Sequence, residues 1–386
     1  MMKNTVLMAA ALAALAGGCK KKAEDKPVVT PGSAVASGSD MAGSSMAGSG
    51  SEGSGSAAAG SGSAVAKGRT PEDMQKFFEA CWAHFNDAKW GDFKNCYAAD
   101  AVGETPGLGA PPLTGNTAIT DYAKAYKAAF PDMTGEIQFE MISGNTIIAA
   151  TLTHGTNSAA MKLPGMPEMP ATNKKSGNYF TQVIELDDAG KVKHEWDFYD
   201  LMTTMGQINP QKGAQPVRAA IEKLMGPKEV VVTKDDDKEK ANLATAAKFF
   251  EAFNKHDAKA VGDLADDKLM WSEAANAKDD TKAEFLKSIE GLWKSFSNVK
   301  FTVGKSWAAG DYVAHVASFD GTNDGDGMMG KKTGKKISEP FLQIEKIEGG
   351  KLTMAWVIYQ NMGFMMQMGM MPQPSPPPAA GSGSAK

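Results

Sequence analysis

Apolar residues recur at spacings of three and four through Phe77, Phe78, Cys81, Trp82 and Phe85, which predicts an amphipathic helix with one stripe turned to a core. Its start is marked by Thr70-Pro71-Glu72-Asp73: a capping threonine, a proline in the first turn, and acids at the positive end of the helix dipole. Further on the period changes. Segments 146–153, 178–185, 191–199, 312–319 and 341–345 are short, rich in β-branched and aromatic residues, and separated by Gly and Asp turns, so they read as strands. Two helices followed by strands predict an α+β fold with helices on one side of an antiparallel sheet.

The pattern occurs twice. Phe77-Phe78-Glu79-Ala80 is matched by Phe249-Phe250-Glu251-Ala252, and Phe85-Asn86 by Phe253-Asn254. Phe130-Pro131 answers Phe296-Ser297, and Gly155-Thr156-Asn157 answers Gly321-Thr322-Asn323. Segment 191–207 aligns with 351–367, which sets Trp196 against Trp356, Tyr199 against Tyr359 and Gln207 against Gln367. Blocks that recur in one order at similar spacing mark a tandem duplication of about 135 residues. The expected division is a first domain at 69–212, a connection with a short helix at 213–238, and a second domain at 239–371.

The N-terminus follows neither pattern. Lys3 precedes an apolar run at 6–15, then Ala16, Gly17, Gly18 and Cys19, the layout of a signal peptide whose apolar stretch is too short to span a bilayer. Leu15-Ala16-Gly17-Gly18-Cys19 resembles the lipobox of bacterial lipoproteins, with Ala16 where leucine is commoner. The resemblance implies removal of residues 1–18, lipidation of Cys19, and a lipid anchor in a membrane of the cell envelope. Lys20 after the cysteine, where Asp would retain such a protein, suggests the outer membrane. Segment 27–67 is Gly, Ser and Ala-rich without an aromatic residue, so 19–68 reads as a disordered tether with a reach of roughly 40 Å. The Pro, Gly and Ser-rich tail, 372–386, is expected to be disordered as well.

Charge and motifs narrow the chemistry. A net charge of -4 without a basic cluster argues against nucleic acid as a partner. Segment 325–332 misses a P-loop for want of the final Ser or Thr. Asp320, Asn323, Asp324 and Asp326 lack the glutamate that would complete a calcium loop. No metal and no other cofactor is called for. Met362, Met365, Met366, Met368, Met370 and Met371 crowd the last stretch, and without His or Cys beside them they read as an adaptable apolar seam between domains or between chains. Export favours a disulfide between Cys81 and Cys96, worth roughly 3 kcal/mol for a loop of about 15 residues; two buried free thiols are the alternative.

Phe130-Pro131-Asp132, Gly155-Thr156-Asn157 and Glu195-Trp196-Asp197-Phe198-Tyr199-Asp200, with Gln207 seven residues on, resemble the SnoaL-like polyketide cyclases of the NTF2-like superfamily. In the second copy Trp356, Gln360, Gly363, Gln367 and Gly369 fall at the family's spacing. The resemblance implies two cones, each a curved sheet around a helix with an apolar pocket, in a superfamily that holds metal-free cyclases and isomerases, ligand binders and dimerisation modules. In the cyclases, an aspartate at the Asp200 position is the general acid/base of an aldol closure.

Strand alternation sets His194, Trp196, Phe198 and Asp200 on one face and Glu195, Asp197 and Tyr199 on the other. The pocket is expected on the first face, where apolar rings would raise the Asp200 pKa. Asp100, Glu104 and His154 are further polar candidates, and Asp200 has the alternative role of capping a turn. The second copy would line its pocket with Trp356, Ile358 and Gln360, and an amide at Gln360 cannot carry acid/base chemistry. Two functions are consistent with this. One is binding of a small apolar molecule or of a protein partner, with the domains or two chains packed together. The other is a metal-free cyclase or isomerase using Asp200.

Overall fold

The computed structural model describes residues 69–162, 168–210, 216–327 and 330–371. The expected signal peptide, Cys19, the tether and the tail lie outside the described residues. In the first copy α1 (Pro71–Asn86) and α2 (Trp90–Asn95) lead into β1 (Tyr97–Glu104), β2 (Leu113–Thr114) and α3 (Asn116–Ala129). These are followed by β3 (Thr134–Ser143), β4 (Thr146–Thr156), β5 (Lys175–Leu186), β6 (Val192–Phe198) and α4 (Leu201–Ile208). After β7 (Glu229–Val232) the order repeats as α5 (Asp237–Asn254), α6 (Ala258–Leu264), β8 (Ala265–Glu273), β9 (Asp280–Thr281) and α7 (Lys282–Ser295). It closes with β10 (Lys300–Ala309), β11 (Tyr312–Thr322), β12 (Lys336–Glu348), β13 (Lys351–Tyr359) and α8 (Asn361–Gln367).

Thr70 caps α1 as its sequence predicts, accepting from the Asp73 backbone N–H while the Asp73 carboxylate accepts from that of Thr70. The expectation of two helices and then strands is corrected by a short hairpin and a third helix in each copy. Tyr-Ala-Ala-Asp-Ala-Val-Gly-Glu in β1 has little β-branched character, so its strand state comes from pairing with β6 rather than from propensity.

The first sheet runs β2-β1-β6-β5-β4-β3-β7 and the second β10-β11-β12-β13-β8-β9. Both are mixed, because β1 lies parallel to β6 and β8 parallel to β13. The connection at 213–238 departs from expectation: its described residues before α5 hold no helix, and β7 adds an edge strand parallel to β3. Gln138 fastens its approach, donating to the Pro227 carbonyl at 2.9 Å and accepting from the Met225 backbone N–H at 3.1 Å.

The residues that recur are largely fold clasps. Asn86 and Asn254, at the ends of α1 and α5, exchange paired hydrogen bonds with the backbones of Gly135 and Phe301. Asn157 and Asn323 tie their loops to the carbonyls of Ala129 and Ser295. Gln207 accepts from the Gly177 N–H, and Gln367 from that of Ser338. Helices cover one face of each sheet. The other two faces pack against each other, with Phe139, Met141, Ile148, Val183, Trp196 and Phe198 meeting Tyr312, Leu342, Ile344, Met354 and Ile358 in one buried cluster.

Of the methionines at 362–371, Met365 and Met368 lie in the second core and Met370 and Met371 pack against it, and Met202 of α4 reaches that core from the first copy. Among the described residues no helix is long and apolar enough to cross a membrane.

Candidate functional site

Alternation along β6 decides what the first copy can do. Trp196 and Phe198 point to the opposite sheet, so Glu195, Asp197 and, just past the strand, Tyr199 face the helices. There they line a cavity of about 130 Å³ walled by Phe77, Trp82, Phe180, Tyr122 and Tyr126. Close backbone approach shapes this wall: a Cβ on Gly135 would stand 2.3 Å from the Trp82 ring, so only glycine lets the indole lie there. A disulfide joins Cys81 of α1 to Cys96 after α2, with Cα atoms 6.1 Å apart, and it borders the same cavity.

The polar groups converge on two carboxyls. The Tyr97 hydroxyl donates to Glu195 Oε2 at 3.1 Å. Gln182, opposite Asp197 on β5, donates through Nε2 to Asp197 Oδ1 at 3.1 Å and to Glu195 Oε2 at 3.5 Å. Gln182 Oε1 is buried without a partner. The hydroxyls of Tyr122 and Tyr199 lie 3.2 Å apart.

Burial drives the Glu195 pKa well above the carboxylate range, the neighbouring Asp197 charge adds to this, and the Tyr97 hydrogen bond opposes it. Burial likewise lifts Asp197 to about 7 against the Gln182 hydrogen bond. The two titrate as a pair that keeps a proton near neutral pH. Such a pair can take a proton from a bound molecule and return it elsewhere.

The residues expected to line the pocket fall outside this cavity, although Asp200, Trp356 and Ile358 border a separate space of about 50 Å³ between the two copies. Asp200 is the N-cap of α4 and accepts from the Met202 N–H at 3.2 Å and the Thr203 N–H at 3.0 Å, which is its turn-capping alternative. Trp196, Phe198 and Ile358 belong to the buried cluster between the sheets, and Trp356 packs against it. Gln360, fully buried at the start of α8, accepts from the Leu201 N–H of the first copy at 3.4 Å. Asp100 is exposed. Glu104 pairs with His194 at 2.7 Å and His154 with Glu136 at 2.7 Å, all outside the cavity lining.

The face was misassigned because Trp196 and Phe198 suit an apolar pocket as well as they suit a sheet interface. The discriminating signal is Glu195-x-Asp197: two acids on one strand face cannot sit in a dry interface between sheets.

The second copy lacks this arrangement. Register sets Ala355 and Val357 at the positions of Glu195 and Asp197, and Trp271 at that of Gly103. The Trp271 ring stacks on Phe285 at 4.0 Å and fills the core there. A buried carboxyl persists on the neighbouring strand as Glu345, bonded to Gln343 and pushed by burial to about 8. His315, held by Ser306 at 2.7 Å, is lowered by burial to about 3.

Comparison with known proteins follows this division. Among solved structures, AclR from Streptomyces galilaeus is 20% identical, with a TM-score of 0.33 over 35% of this chain and 85% of its own. IdmH from Streptomyces antibioticus is 20% identical, with a TM-score of 0.31 over 33% of this chain and 98% of its own. A SnoaL-like protein from Jannaschia sp. CCS1 is 14% identical, with a TM-score of 0.34 over 36% and 99%. A comparison with curated proteins gives no match. The family model for SnoaL-like polyketide cyclase matches residues 72–208 and 244–368, well over half of the sequence, and the chain therefore belongs to that family, with two tandem domains of the NTF2-like fold.

Proposed function

We propose that this is an exported lipoprotein, held to the cell envelope through Cys19, whose first domain binds a small molecule with an apolar body and one polar end. The second domain is its structural partner, covering the back of the first sheet. The observation that carries this reading is the difference between the copies. One keeps Glu195, Asp197 and Gln182 in an aromatic-walled cavity, and the other sets Ala355 and Val357 in place of the acids and a tryptophan against them. Scaffold clasps recur while cavity residues diverge, which is expected where one copy binds and the other supports.

The test is a small-molecule screen by thermal shift and calorimetry on the purified protein, repeated on the double variant Glu195→Ala, Asp197→Val, which installs the second copy's residues. Binding should vanish while the circular dichroism spectrum is kept. Undiminished binding by the variant sinks the reading.

A second reading is favoured by the Asp197 pKa near 7. Asp197 would take the acid/base role expected of Asp200, working on a carbonyl compound with Tyr97 and Glu195 beside it. Turnover of a bound carbonyl ligand that disappears in Asp197→Asn, with binding intact, would establish it. Binding without turnover across carbonyl ligands would leave the binding reading alone.

A further inference from the structure

Most of the donors around the cavity are spent within the protein. Tyr97 directs its hydroxyl proton to Glu195, and Gln182 spends its amide N–H groups on Asp197 and Glu195. Asn178 gives an amide N–H to Thr204 Oγ1, and the phenols of Tyr122 and Tyr199 bond each other. What faces the space is then the two carboxyl groups, the unpartnered Oε1 of Gln182, a residue 6% exposed, and the one hydroxyl proton that the Tyr122–Tyr199 bond leaves over. Once the pair has given up its shared proton, an anion would meet acceptor against acceptor. A donor or a positive charge would not.

Among the described residues no cation pairs with either acid. The groups acting on Glu195 and Asp197 are each other, Tyr97 of β1 and Gln182 of β5. Of the other packed elements, α1 offers Phe77 and Trp82, α3 offers Tyr122 and Tyr126, and Tyr199 follows β6. The Lys127 ammonium of α3 is held by the carbonyls of Asn86 at 2.8 Å and Met133 at 2.7 Å. Aromatic faces attract cations, most strongly where water is excluded. At about 130 Å³ the space is close to the roughly 150 Å³ cavity that accommodates benzene.

We propose that the first domain's cavity is a site for a small alkylated amine in its cationic form, seated between Glu195 and Asp197 with its alkyl groups against the aromatic rings. The inference rests on the reading of this cavity as a ligand site and names the ligand's class. The cation replaces the proton that the acid pair otherwise keeps, so binding releases a proton and strengthens as pH rises.

The purified full-length chain is titrated calorimetrically with trimethylammonium, tetramethylammonium and, as an uncharged molecule of similar shape, tert-butanol, at about pH 6 and about pH 8. The cations are expected to bind at least about tenfold more tightly than tert-butanol at the higher pH, and to weaken by up to about tenfold at the lower, where the pair regains its proton. Asp197→Asn and Glu195→Gln, each checked for fold by circular dichroism, should each remove the cation preference. Tert-butanol binding as well as the cations, or cation binding that ignores both pH and the two variants, overturns the proposal and leaves the ligand site standing. Failure of all three probes to bind also overturns the proposal, and the ligand site itself then stands or falls on the small-molecule screen with the double variant.

Discussion

Thr203 donates to Asp200 Oδ2 twice, through its backbone N–H at 3.0 Å and its hydroxyl at 2.6 Å. The other carboxylate oxygen accepts from the Met202 N–H, so the side chain satisfies the first turn of α4 and does not line the first domain's cavity. Asp200→Ala should therefore cost roughly 1–2 kcal/mol in urea unfolding, the usual value of an N-cap. Affinity for any ligand of the first domain should stay within about twofold. A variant that is fully stable but fails to bind or react would return Asp200 to the chemistry.

The Cys81–Cys96 bond closes a loop of 15 residues between the first helix and the strand that carries Tyr97. In the chain-entropy model such a loop contributes about 3 kcal/mol. The double variant Cys81→Ala, Cys96→Ala should lower the unfolding midpoint of the first domain and leave the second, which has no cysteine, unchanged. Separate unfolding transitions, followed with and without reductant, provide the measurement. Equal shifts in both would mean that the two domains unfold as one unit across their packed sheets.

Burial raises Glu345 to about 8. In the window from about 4.5 to 8 the folded state holds a proton that the unfolded chain has released. Its stabilising contribution is complete below the unfolded pKa and is lost as pH climbs through 8. His315 acts in the opposite direction, because a folded pKa of about 3 costs stability only below about 6.5. Between pH 6.5 and 8, then, Glu345→Gln should flatten the loss of stability, by on the order of 1 kcal/mol per pH unit at most. The variant's advantage in thermal midpoint should grow from about pH 4.5, where the two proteins converge, to about pH 8; parallel curves would mean that Glu345 is ionised in the fold.

The duplication, the α+β class and the capped first helix were legible in the chain because each rests on local pattern or on recurrence. Trp196 and Asp197 show where legibility ended. Their alternation is plain in the sequence, but which face meets helices depends on what covers the sheet, and that is a contact between residues more than 100 positions apart. Here Lys305 of the second copy lies 4.4 Å from the Trp196 ring centre. The same long-range cause hides β7, whose strand state comes from pairing with β3, and the filling of the second cavity by Trp271, whose place opposite Ala355 follows from register.

On the proposed reading, lipidation at Cys19 would set where all of this operates. A lipobox-like stretch followed by about 49 tether residues should yield a mature chain that begins at Cys19 and partitions with membranes. Growth with labelled palmitate should therefore label the protein, and Cys19→Ser should abolish both the label and membrane association while leaving the folded domains' circular dichroism unchanged. The distinction bears on the ligand as well. If lipidated and exported, the first domain would meet molecules outside the inner membrane rather than cytoplasmic polyketide intermediates. An unlabelled protein recovered from the cytoplasm would remove the anchor and, with it, the reason to look outside the inner membrane for what Glu195 and Asp197 hold.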